Sequence, residues 1–486
     1  MTTVNLIGLD FGTTTSSAVV AQADLVQNSV TGKKELGHVE ERFRSEMIFT
    51  PWHDQVLGIA AIEQSMIGWL EASGIMHGLP SPHRGRGAGG EGVNLFGGGA
   101  MLTGLTAQAD NAKALLATIR RHLGNAFVAT ADDPCLESWL AFHGSCAALS
   151  RAHPNTPILN LDIGGGTTNA ALGLAGDVLA TGCLMVGARH VQVRPRTYEI
   201  VRLSKYAQAL FADLHIAKAI GDELTGQEVD AILDRQMAWL EALATGRRQP
   251  FAKPVRQLHE QVPLRLHEDL PAPIITVSGG VGELLYARLC GTAWSATTAF
   301  GDLGIDLARR LLERSPWSEH FRTHVPASCG RATVFGLLRH STQVSGNTVY
   351  LACESLLPLD DLPILGRVDV DTSDDRLRGL LEMAQKSPRG GGLAVMLDGM
   401  DASTLSHFAQ RFARQLEAVG YSPGHPLVLF VSQNVGKVLG QLVTRWGRLP
   451  LSLLVVDEID VRNAQYAHLG ALRDQVIPVS IFGLRE

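Results

Sequence analysis

The sequence predicts an α/β protein built from two lobes of similar topology, followed by an additional C-terminal α/β subdomain. The main observation is an internal repeat. Residues 6–15 and residues 158–169 each read as an apolar strand that ends in Asp and runs into a turn of Gly and Thr. A second apolar stretch follows each turn, and a strand–helix alternation resumes after about residue 345. The two copies are too far apart for a short stacked repeat, so we interpret them as duplicated lobes.

Composition narrows the class of protein. The chain has 486 residues, of which 45% are hydrophobic and 19% charged, so two or three globular domains are expected. A formal net charge of -6 argues against a nucleic-acid partner. The six cysteines are scattered without a C-x-x-C pair, which predicts buried, reduced thiols rather than a metal site. No signal-like segment or membrane-length apolar run is found, so we expect a cytoplasmic protein without a membrane partner.

Turn-rich and Gly-rich segments divide the chain. The turn residues at 153–157 mark the first boundary, and residues 84–92 are a Gly-rich surface loop that lacks the Lys-Ser/Thr of a P-loop. The predicted units are an N-terminal lobe of residues 1–155, a second lobe of residues 156–345 and a C-terminal subdomain of residues 346–486.

Periodicity and cap residues predict the elements within these units. They are a helix over 107–123, a helix over 135–149 started by the Asp-Asp-Pro at 132–134, a helical stretch over 205–243, a strand over 274–278 that runs into a Gly turn, and buried strands over 426–431 and 451–456.

The two Gly/Thr turns have the chemistry of a phosphate site. A phosphate chain needs several main-chain N–H donors close to it, and glycine permits an approach that a Cβ would obstruct. Asp10 and Asp162 end the strands beside the turns, where a carboxylate can hold Mg²⁺ through its hydration shell. A single such turn is more often a plain strand-end turn, but its duplication favours the phosphate site. The candidate phosphate-binding residues are Gly12, Thr13, Thr14, Gly164, Gly165, Gly166, Thr167 and Thr168.

A third Gly-rich turn follows the predicted strand over 274–278. Exposed main chain at this point of the sequence suits contact with a nucleoside, whose flat base and ribose can lie on it. Glu283 either contacts the ribose or opens the next helix. The candidate nucleoside-binding residues are Ser278, Gly279, Gly280, Gly282 and Glu283.

The three motifs, in this order, resemble the phosphate-1, phosphate-2 and adenosine motifs of the actin/Hsp70/sugar-kinase superfamily. The resemblance implies two actin-like (ribonuclease H-like) lobes, each with a five-stranded mixed sheet, and a cleft between them for ATP or ADP with Mg²⁺. Glu137 lies where the superfamily's first connecting helix would begin, and an acidic residue there often orients the water that attacks the γ-phosphate. Its alternative role is to complement the dipole of that helix.

A closer resemblance, to the ethanolamine ammonia-lyase-reactivating (EutA) family, extends into the C-terminal subdomain, which kinases and Hsp70 proteins lack. It implies an ATP-dependent chaperone that releases damaged cobalamin from inactivated ethanolamine ammonia-lyase, in the cytoplasm or at the ethanolamine-utilisation microcompartment. Whether the chain forms a homodimer stays open. Where the family has Thr-Gly-Glu, this chain has Thr103-Gly104-Leu105, so any role of that Glu is absent. The matching segments are residues 103–104, 109–112, 160–169, 277–283, 455–462 and 476–479.

Other residues and other functions remain as alternatives. His122, His143 and Cys146 are isolated, which is typical of ordinary polar or core residues, and Lys437 follows a strand–turn–helix start. A small-molecule kinase of the same fold is the alternative function, although no sugar-kinase signature is present. An iron–sulfur ATPase fits the scattered cysteines poorly, and an actin-like filament protein stays open.

Overall fold

The computed structural model describes residues 2–29, 32–53, 56–75, 95–123, 127–129, 133–246, 253–266, 269–397 and 401–484. The Gly-rich loop predicted at 84–92 lies outside these ranges.

The first part of the chain forms a mixed sheet with helices against it. Its elements are β1 (Thr2–Phe11), β2 (Thr15–Gln27), β3 (Lys34–Arg44), β4 (Ile48–Phe49), β5 (Trp52–His53), β6 (Val56–Leu57), α1 (Ile59–Ala72), β7 (Gly97–Leu102), a 3₁₀ turn (Gly104–Thr106), α2 (Ala112–Leu123), β8 (Phe127–Ala129), α3 (Pro134–Ser145) and α4 (Ala147–Ala152).

The strand order of this first sheet is β3-β2-β1-β7-β8, with β4 on the edge of β2. The first three strands form an antiparallel meander, whereas β7 and β8 run parallel to β1. The inner residues of β1 are almost all buried, as expected for a central strand covered on both faces.

The second part repeats this arrangement. Its elements are β9 (Ile158–Ile163), β10 (Thr168–Leu174), β11 (Asp177–Leu184), β12 (Val191–Val193), β13 (Ile200–Leu203), α5 (Lys205–Asp213), α6 (Gly226–Thr245), α7 (Lys253–His259), β14 (Glu260–Val262), β15 (Ile274–Ser278), α8 (Gly279–Leu289), α9 (Gly304–Arg314), α10 (Ser318–Thr323) and a 3₁₀ turn (Cys329–Arg331).

The second sheet has the order β14-β11-β10-β9-β15. The strands β9, β10 and β11 form the meander, and β15 runs parallel to β9 as β7 does to β1. The predicted duplication is therefore confirmed, and both sheets are mixed as expected, but β4 adds a sixth strand to the first sheet whereas the second has the five strands expected. Asp10 and Asp162 occupy corresponding positions near the ends of the two central strands.

The rest of the chain forms a third sheet. Its elements are α11 (Ala332–His340), β16 (Thr342–Val344), β17 (Tyr350–Leu351), a 3₁₀ turn (Glu354–Leu356), β18 (Leu359–Val368), α12 (Asp374–Lys386), β19 (Gly391–Val395), α13 (Ala402–Val419), β20 (Leu427–Val431), α14 (Gly436–Val443), β21 (Leu453–Val456), β22 (Tyr466–Leu469) and β23 (Pro478–Phe482).

Four parallel strands form the centre of the third sheet. The order is β16-β23-β22-β18-β19-β20-β21-β17, and β18 to β21 run parallel with α12, α13 and α14 between them. This confirms the predicted C-terminal α/β subdomain and both of its predicted strands. The predicted boundaries after residues 155 and 345 stay predictions.

The helices α3 and α11 cross at very short distance although they are far apart in the sequence. A Cβ at Gly144 of α3 would lie 1.9 Å from the main-chain oxygen of Ala332, and one at Gly336 of α11 would lie 2.2 Å from that of Leu140. Because both contacts are main chain to main chain, only glycine fits at either position. On its other side α11 packs against the first sheet through Val334. The helix α11 therefore lies between α3 and β1 and contacts both.

Several element boundaries differ from the prediction. The helical stretch predicted over 205–243 is wrong for residues 214–225, which form an irregular connection between α5 and α6. His215 and Gly221 have positive φ there, and Thr225 starts a new helix with a capping box to Glu228. The helix predicted over 107–123 begins only at Ala112, and the one predicted over 135–149 is two helices, α3 and α4, that meet at Cys146.

Two further expectations need correction. All six cysteines are free, but they are not uniformly buried: Cys146 and Cys183 are buried, whereas Cys290 and Cys353 are exposed. The Gly turn predicted after β15 is the first turn of α8, which begins directly at Gly279. None of the helices in the described ranges is long and apolar enough to cross a membrane.

Candidate functional site

A cleft between the first two sheets contains most of the residues singled out by their motifs. Its volume is about 500 Å³, and both Gly/Thr turns, both strand-end aspartates and the start of α8 line it. The predicted site residues on its wall are Asp10, Gly12, Thr13, Thr14, Glu137, Asp162, Gly164, Gly165, Gly166, Thr167, Gly279, Gly280 and Glu283.

Three predicted site residues lie behind the wall of the cleft instead of on it. Thr168 is fully buried and its hydroxyl donates to the main-chain oxygen of Val186. Ser278 is also fully buried, and its hydroxyl donates to Asp162. A Cβ at Gly282 would lie 2.9 Å from the carbonyl carbon of Val277, so this glycine lets α8 pack on its own strand. These residues position the site without lining it.

The two aspartates are held in a similar way at equivalent strand ends. The Thr103 hydroxyl donates to Asp10 Oδ1 at 3.0 Å, and the Ser278 hydroxyl donates to Asp162 Oδ1 at 2.5 Å. Burial raises the pKa of Asp10 to about 7 and that of Asp162 to about 6, and each hydroxyl opposes the rise. Repulsion from Asp162 adds to the rise for Asp10. The cleft therefore concentrates negative charge that protons or a cation can neutralise.

Glu137 extends this acidic surface from the first turn of α3. The helix is capped by Asp133, whose carboxylate accepts from the Leu136 N–H at 2.9 Å, so the predicted helix start is confirmed. Glu137 is only 5% exposed. Burial, followed by repulsion from Asp10 and Asp162, raises its pKa well above the ordinary value. Across the described ranges, no group of three or more His, Cys, Asp or Glu side chains has metal-ligand geometry.

The loops that carry the two Gly/Thr turns face each other at close range. A Cβ at Gly104, where φ is +60°, would lie 2.4 Å from the Thr13 hydroxyl. A Cβ at Gly165 would lie 2.2 Å from the Thr14 hydroxyl, across the gap between the lobes. Any larger residue would hold the two loops apart. Leu105, which replaces the expected Glu, donates its N–H to Thr13 Oγ1 at 2.7 Å and borders Gly166.

The opposite wall of the cleft is formed by α8 and the residues before α11. Glu283 projects from the first turns of α8 beside Gly330 and Arg331. Burial raises the pKa of Glu283, and the nearby Arg331 guanidinium opposes this rise. Arg331 Nη2 donates to the main-chain oxygen of Ser45 at 2.6 Å, whereas its buried Nη1 has no hydrogen-bond partner. Arg331 thus adds a cationic group to a wall that otherwise carries carboxylates.

The mouth of the cleft is built from residues that the sequence analysis missed. The rings of Phe49 and Phe300, one from each lobe, have centroids 6.4 Å apart. Arg189 lies over the Phe49 ring at 5.9 Å and pairs with Asp302 at 3.5 Å. These residues are single positions in separate parts of the chain, Phe49 in β4 and the others in loops. We find no sequence signal that would have identified them.

The remaining candidates lie outside the cleft. His122 pairs with Glu63 at 2.8 Å, and His143 contacts the His340 ring at a centroid distance of 5.0 Å. Cys146 is buried and hydrogen-bonded, and Lys437 lies in α14 of the third sheet.

Comparison with known proteins gives the family. The model of the family described as ethanolamine utilisation protein EutA matches residues 2–485. The chain belongs to the EutA family. It is 28% identical over 495 residues to the ethanolamine ammonia-lyase reactivase EutA of Salmonella typhimurium, which covers 98% of this chain and 97% of that protein. The reactivase EutA of Escherichia coli is also 28% identical, over 486 residues, with the same coverage of each chain.

Among solved structures, a Ppx/GppA family member from Aquifex aeolicus is similar with a TM-score of 0.35 and 14% identity. The match covers 69% of this chain and 87% of that one. The order and direction of the strands in the first two sheets of this chain are those expected for the actin-like fold.

Proposed function

We propose that this chain is an ATP-dependent reactivating chaperone that releases damaged cobalamin from inactivated ethanolamine ammonia-lyase. The observation that carries the proposal is the pair of strand-end aspartates and Gly/Thr turns that face each other across one cleft. The whole-length match to the EutA family and the names of its two relatives support the choice of partner.

The chemistry of the cleft fits a magnesium nucleotide. The main-chain N–H of Gly165 would bind the phosphates, whereas that of Gly12 donates to the main-chain oxygen of Thr15 at 2.9 Å and holds the first turn in shape. Asp10 and Asp162 would hold Mg²⁺ through its water ligands, and the charge of the ion would favour the ionised carboxylates that burial disfavours. Arg331 would supply positive charge close to the nucleotide from the opposite wall.

The bound ion would screen the phosphate charge while Glu137 orients a water molecule. Burial raises the pKa of Glu137, which makes its carboxylate a stronger base towards that water. Thr13 and Thr14 would add neutral hydroxyl donors to the phosphate oxygens.

The nucleotide state would set the angle between the lobes. A ligand that contacts both Gly/Thr turns favours the closed arrangement, and its loss favours the open one. We propose that one arrangement binds the lyase and weakens the binding of spent cobalamin to the lyase. The other arrangement then releases the lyase. We place this action in the cytoplasm, together with the ethanolamine-utilisation machinery.

A reactivation assay tests this function. Ethanolamine ammonia-lyase is inactivated with cyanocobalamin, and the protein is then added with Mg²⁺ and adenosylcobalamin, with and without ATP. We expect lyase activity to recover only with ATP and to be lost in Asp162→Ala. Asp24→Asn, which changes an aspartate far from the cleft, is the matched control. No recovery from protein that binds ATP in a separate measurement would refute the chaperone function and leave nucleotide binding intact.

A further inference from the structure

The second Gly/Thr turn is held by a short segment of chain, residues 187–190, which we call the bracing segment. It lies between β11 and β12, and three of its residues donate hydrogen bonds to three consecutive main-chain oxygens of the turn. Two of the donors are main-chain N–H groups and the third is a side chain. The hydrogen bonds run from Ala188 N to Gly164 O at 3.0 Å, from Arg189 N to Gly165 O at 2.7 Å and from His190 Nε2 to Gly166 O at 2.7 Å.

These hydrogen bonds decide which way the N–H groups of the turn face. In a planar trans peptide, the N–H of one residue points away from the C=O of the residue before it. Because the oxygens of residues 164–166 face the bracing segment, the N–H groups of residues 165–167 face the other way. No atom of the described residues accepts a hydrogen bond from these three N–H groups. The turn, which lines the cleft, therefore presents adjacent unpaired donors of the kind that bind phosphate oxygens.

The side chain of His190 is fixed as a donor towards the turn. It is only 4% exposed, and its Nδ1 lies 2.8 Å from the Ser204 hydroxyl. A carbonyl oxygen can only accept, so Nε2 carries the proton and Nδ1 accepts from Ser204. Burial lowers the pKa of His190 to about 4, so the ring stays neutral near pH 7 and has this one N–H to donate.

The bracing segment is itself held by two helices. Gln236 of α6 donates through Nε2 to the main-chain oxygen of Gly187 at 3.2 Å. The N–H of Ser204, which caps α5, donates to the main-chain oxygen of His190 at 3.0 Å. A Cβ at Gly187 would lie 2.5 Å from the main-chain oxygen of Gly165, so only glycine lets the segment approach the turn this closely.

We propose that His190 is a positioning residue for nucleotide binding, because it holds Gly166 so that the N–H groups of the turn face the phosphates. This inference rests on the proposed function, which places a nucleotide in the cleft. Of the three hydrogen bonds that hold the turn, this is the one made by a side chain, so a substitution can remove it. Its loss would let the peptide after Gly166 rotate, and the N–H of Thr167 would no longer be aimed at a phosphate oxygen.

A pair of variants of similar shape tests the role of the Nε2–H group. His190→Gln places an amide N–H near the position of Nε2, whereas His190→Met has about the same length and no donor. Competition against a fluorescent ATP analogue gives the affinity of each protein for AMP-PNP with Mg²⁺ and for adenosine. We expect His190→Met to bind AMP-PNP about tenfold more weakly than wild type, and His190→Gln to stay within about twofold. Adenosine has no phosphate, so its affinity should be the same in all three proteins.

The matched control is His259→Gln, which changes a similar histidine of the same lobe. His259 is also 4% exposed, but its Nδ1 donates to the main-chain oxygen of Val255 at 3.0 Å instead of to the turn. Both histidine rings contact the ring of Tyr206, at centroid distances of 5.1 Å for His190 and 5.8 Å for His259. The control should leave both affinities unchanged, even where its melting temperature falls.

Gly187→Ala reaches the same turn by another route, since the added Cβ pushes the bracing segment away from Gly165. It should weaken the binding of AMP-PNP but not that of adenosine, so the decision does not depend on the folding of His190→Met. Equal affinities of His190→Gln and His190→Met for AMP-PNP, or parallel losses for AMP-PNP and adenosine, would overturn the positioning role and leave nucleotide binding intact. A wild-type protein that does not bind AMP-PNP would refute the proposed function and this inference with it.

Discussion

If the cleft binds magnesium as proposed, the raised pKa values of its two aspartates should make that binding dependent on pH. With pKa values of about 7 and about 6, Asp10 and Asp162 carry protons in the cation-free cleft that must leave when the ion binds. Affinity should therefore rise with pH and level off above both pKa values. Between pH 8 and pH 6 the ionised fraction of Asp10 falls about tenfold and that of Asp162 about twofold, so the affinity for Mg²⁺ should fall about 20-fold.

The assay is the Mg²⁺ dependence of binding of a non-hydrolysable ATP analogue at pH 6, 7 and 8. Because the phosphates of the nucleotide also titrate near pH 6, each affinity is compared with that of Asp10→Asn at the same pH. Asn keeps an oxygen that can accept from Thr103 but has no proton to release. The variant should bind Mg²⁺ more weakly at pH 8 and show only the dependence of about twofold that Asp162 contributes.

Asp24→Asn is the matched control, because Asp24 also accepts from a threonine hydroxyl at 3.0 Å but lies outside the cleft. It should keep the full dependence on pH. If the ratio between wild type and Asp10→Asn does not change from pH 6 to pH 8, the argument that links burial of Asp10 to magnesium affinity is refuted.

Three further results are expected. Without ligands, Asp10→Asn should raise the free energy of unfolding at pH 8 by up to about 4 kcal/mol. The reason is that the pKa of Asp10 is about 7 in the folded protein and about 4 in the unfolded chain, so ionised Asp10 destabilises the fold at high pH. Urea titrations should show that the gain decreases as the pH falls from about 7 to about 4. Glu137→Gln should keep nucleotide affinity but lower ATP turnover about 100-fold in a phosphate-release assay, and unchanged turnover would exclude Glu137 as the residue that orients water. Gly144→Ala should cost about 2 kcal/mol or more in chemical denaturation, because its Cβ would lie 1.9 Å from the main-chain oxygen of Ala332; an unchanged midpoint would contradict the close crossing of α3 and α11.

The strand ends and glycine turns could be predicted because their requirements are local. An apolar run that ends in Asp and is followed by Gly and Thr specifies a strand, a turn and a carboxylate within one short segment. The duplication then indicated that two such segments share one site. The helix cap at Asp133 could also be predicted, because an Asp followed by Pro is typical of a helix start: the Asp caps the helix and the Pro fits its first turn.

The mouth of the cleft could not be predicted, because its residues meet only through the fold. Phe49 comes from β4, Arg189 and Phe300 come from two separate loops, and each alone is an ordinary residue. The break after α5 had a local signal, the Thr225 and Glu228 of a capping box, but the apolar periodicity on both sides outweighed it. Periodicity reports buried faces, and it does not distinguish one long helix from two that share a core.

The layer formed by α3 and α11 connects the chemistry of the cleft to movement of the lobes. Each helix reaches the cleft with its first turn, α3 through Glu137 and α11 through Ala332 and Thr333. The two helices then touch main chain to main chain at Gly144 and Gly336. Gly144 meets Ala332 and Gly336 meets Leu140, so the two helices run antiparallel, and a contact this close leaves almost no room for them to approach further. If the lobes close on a nucleotide as proposed, we expect α3 and α11 to move together as one unit.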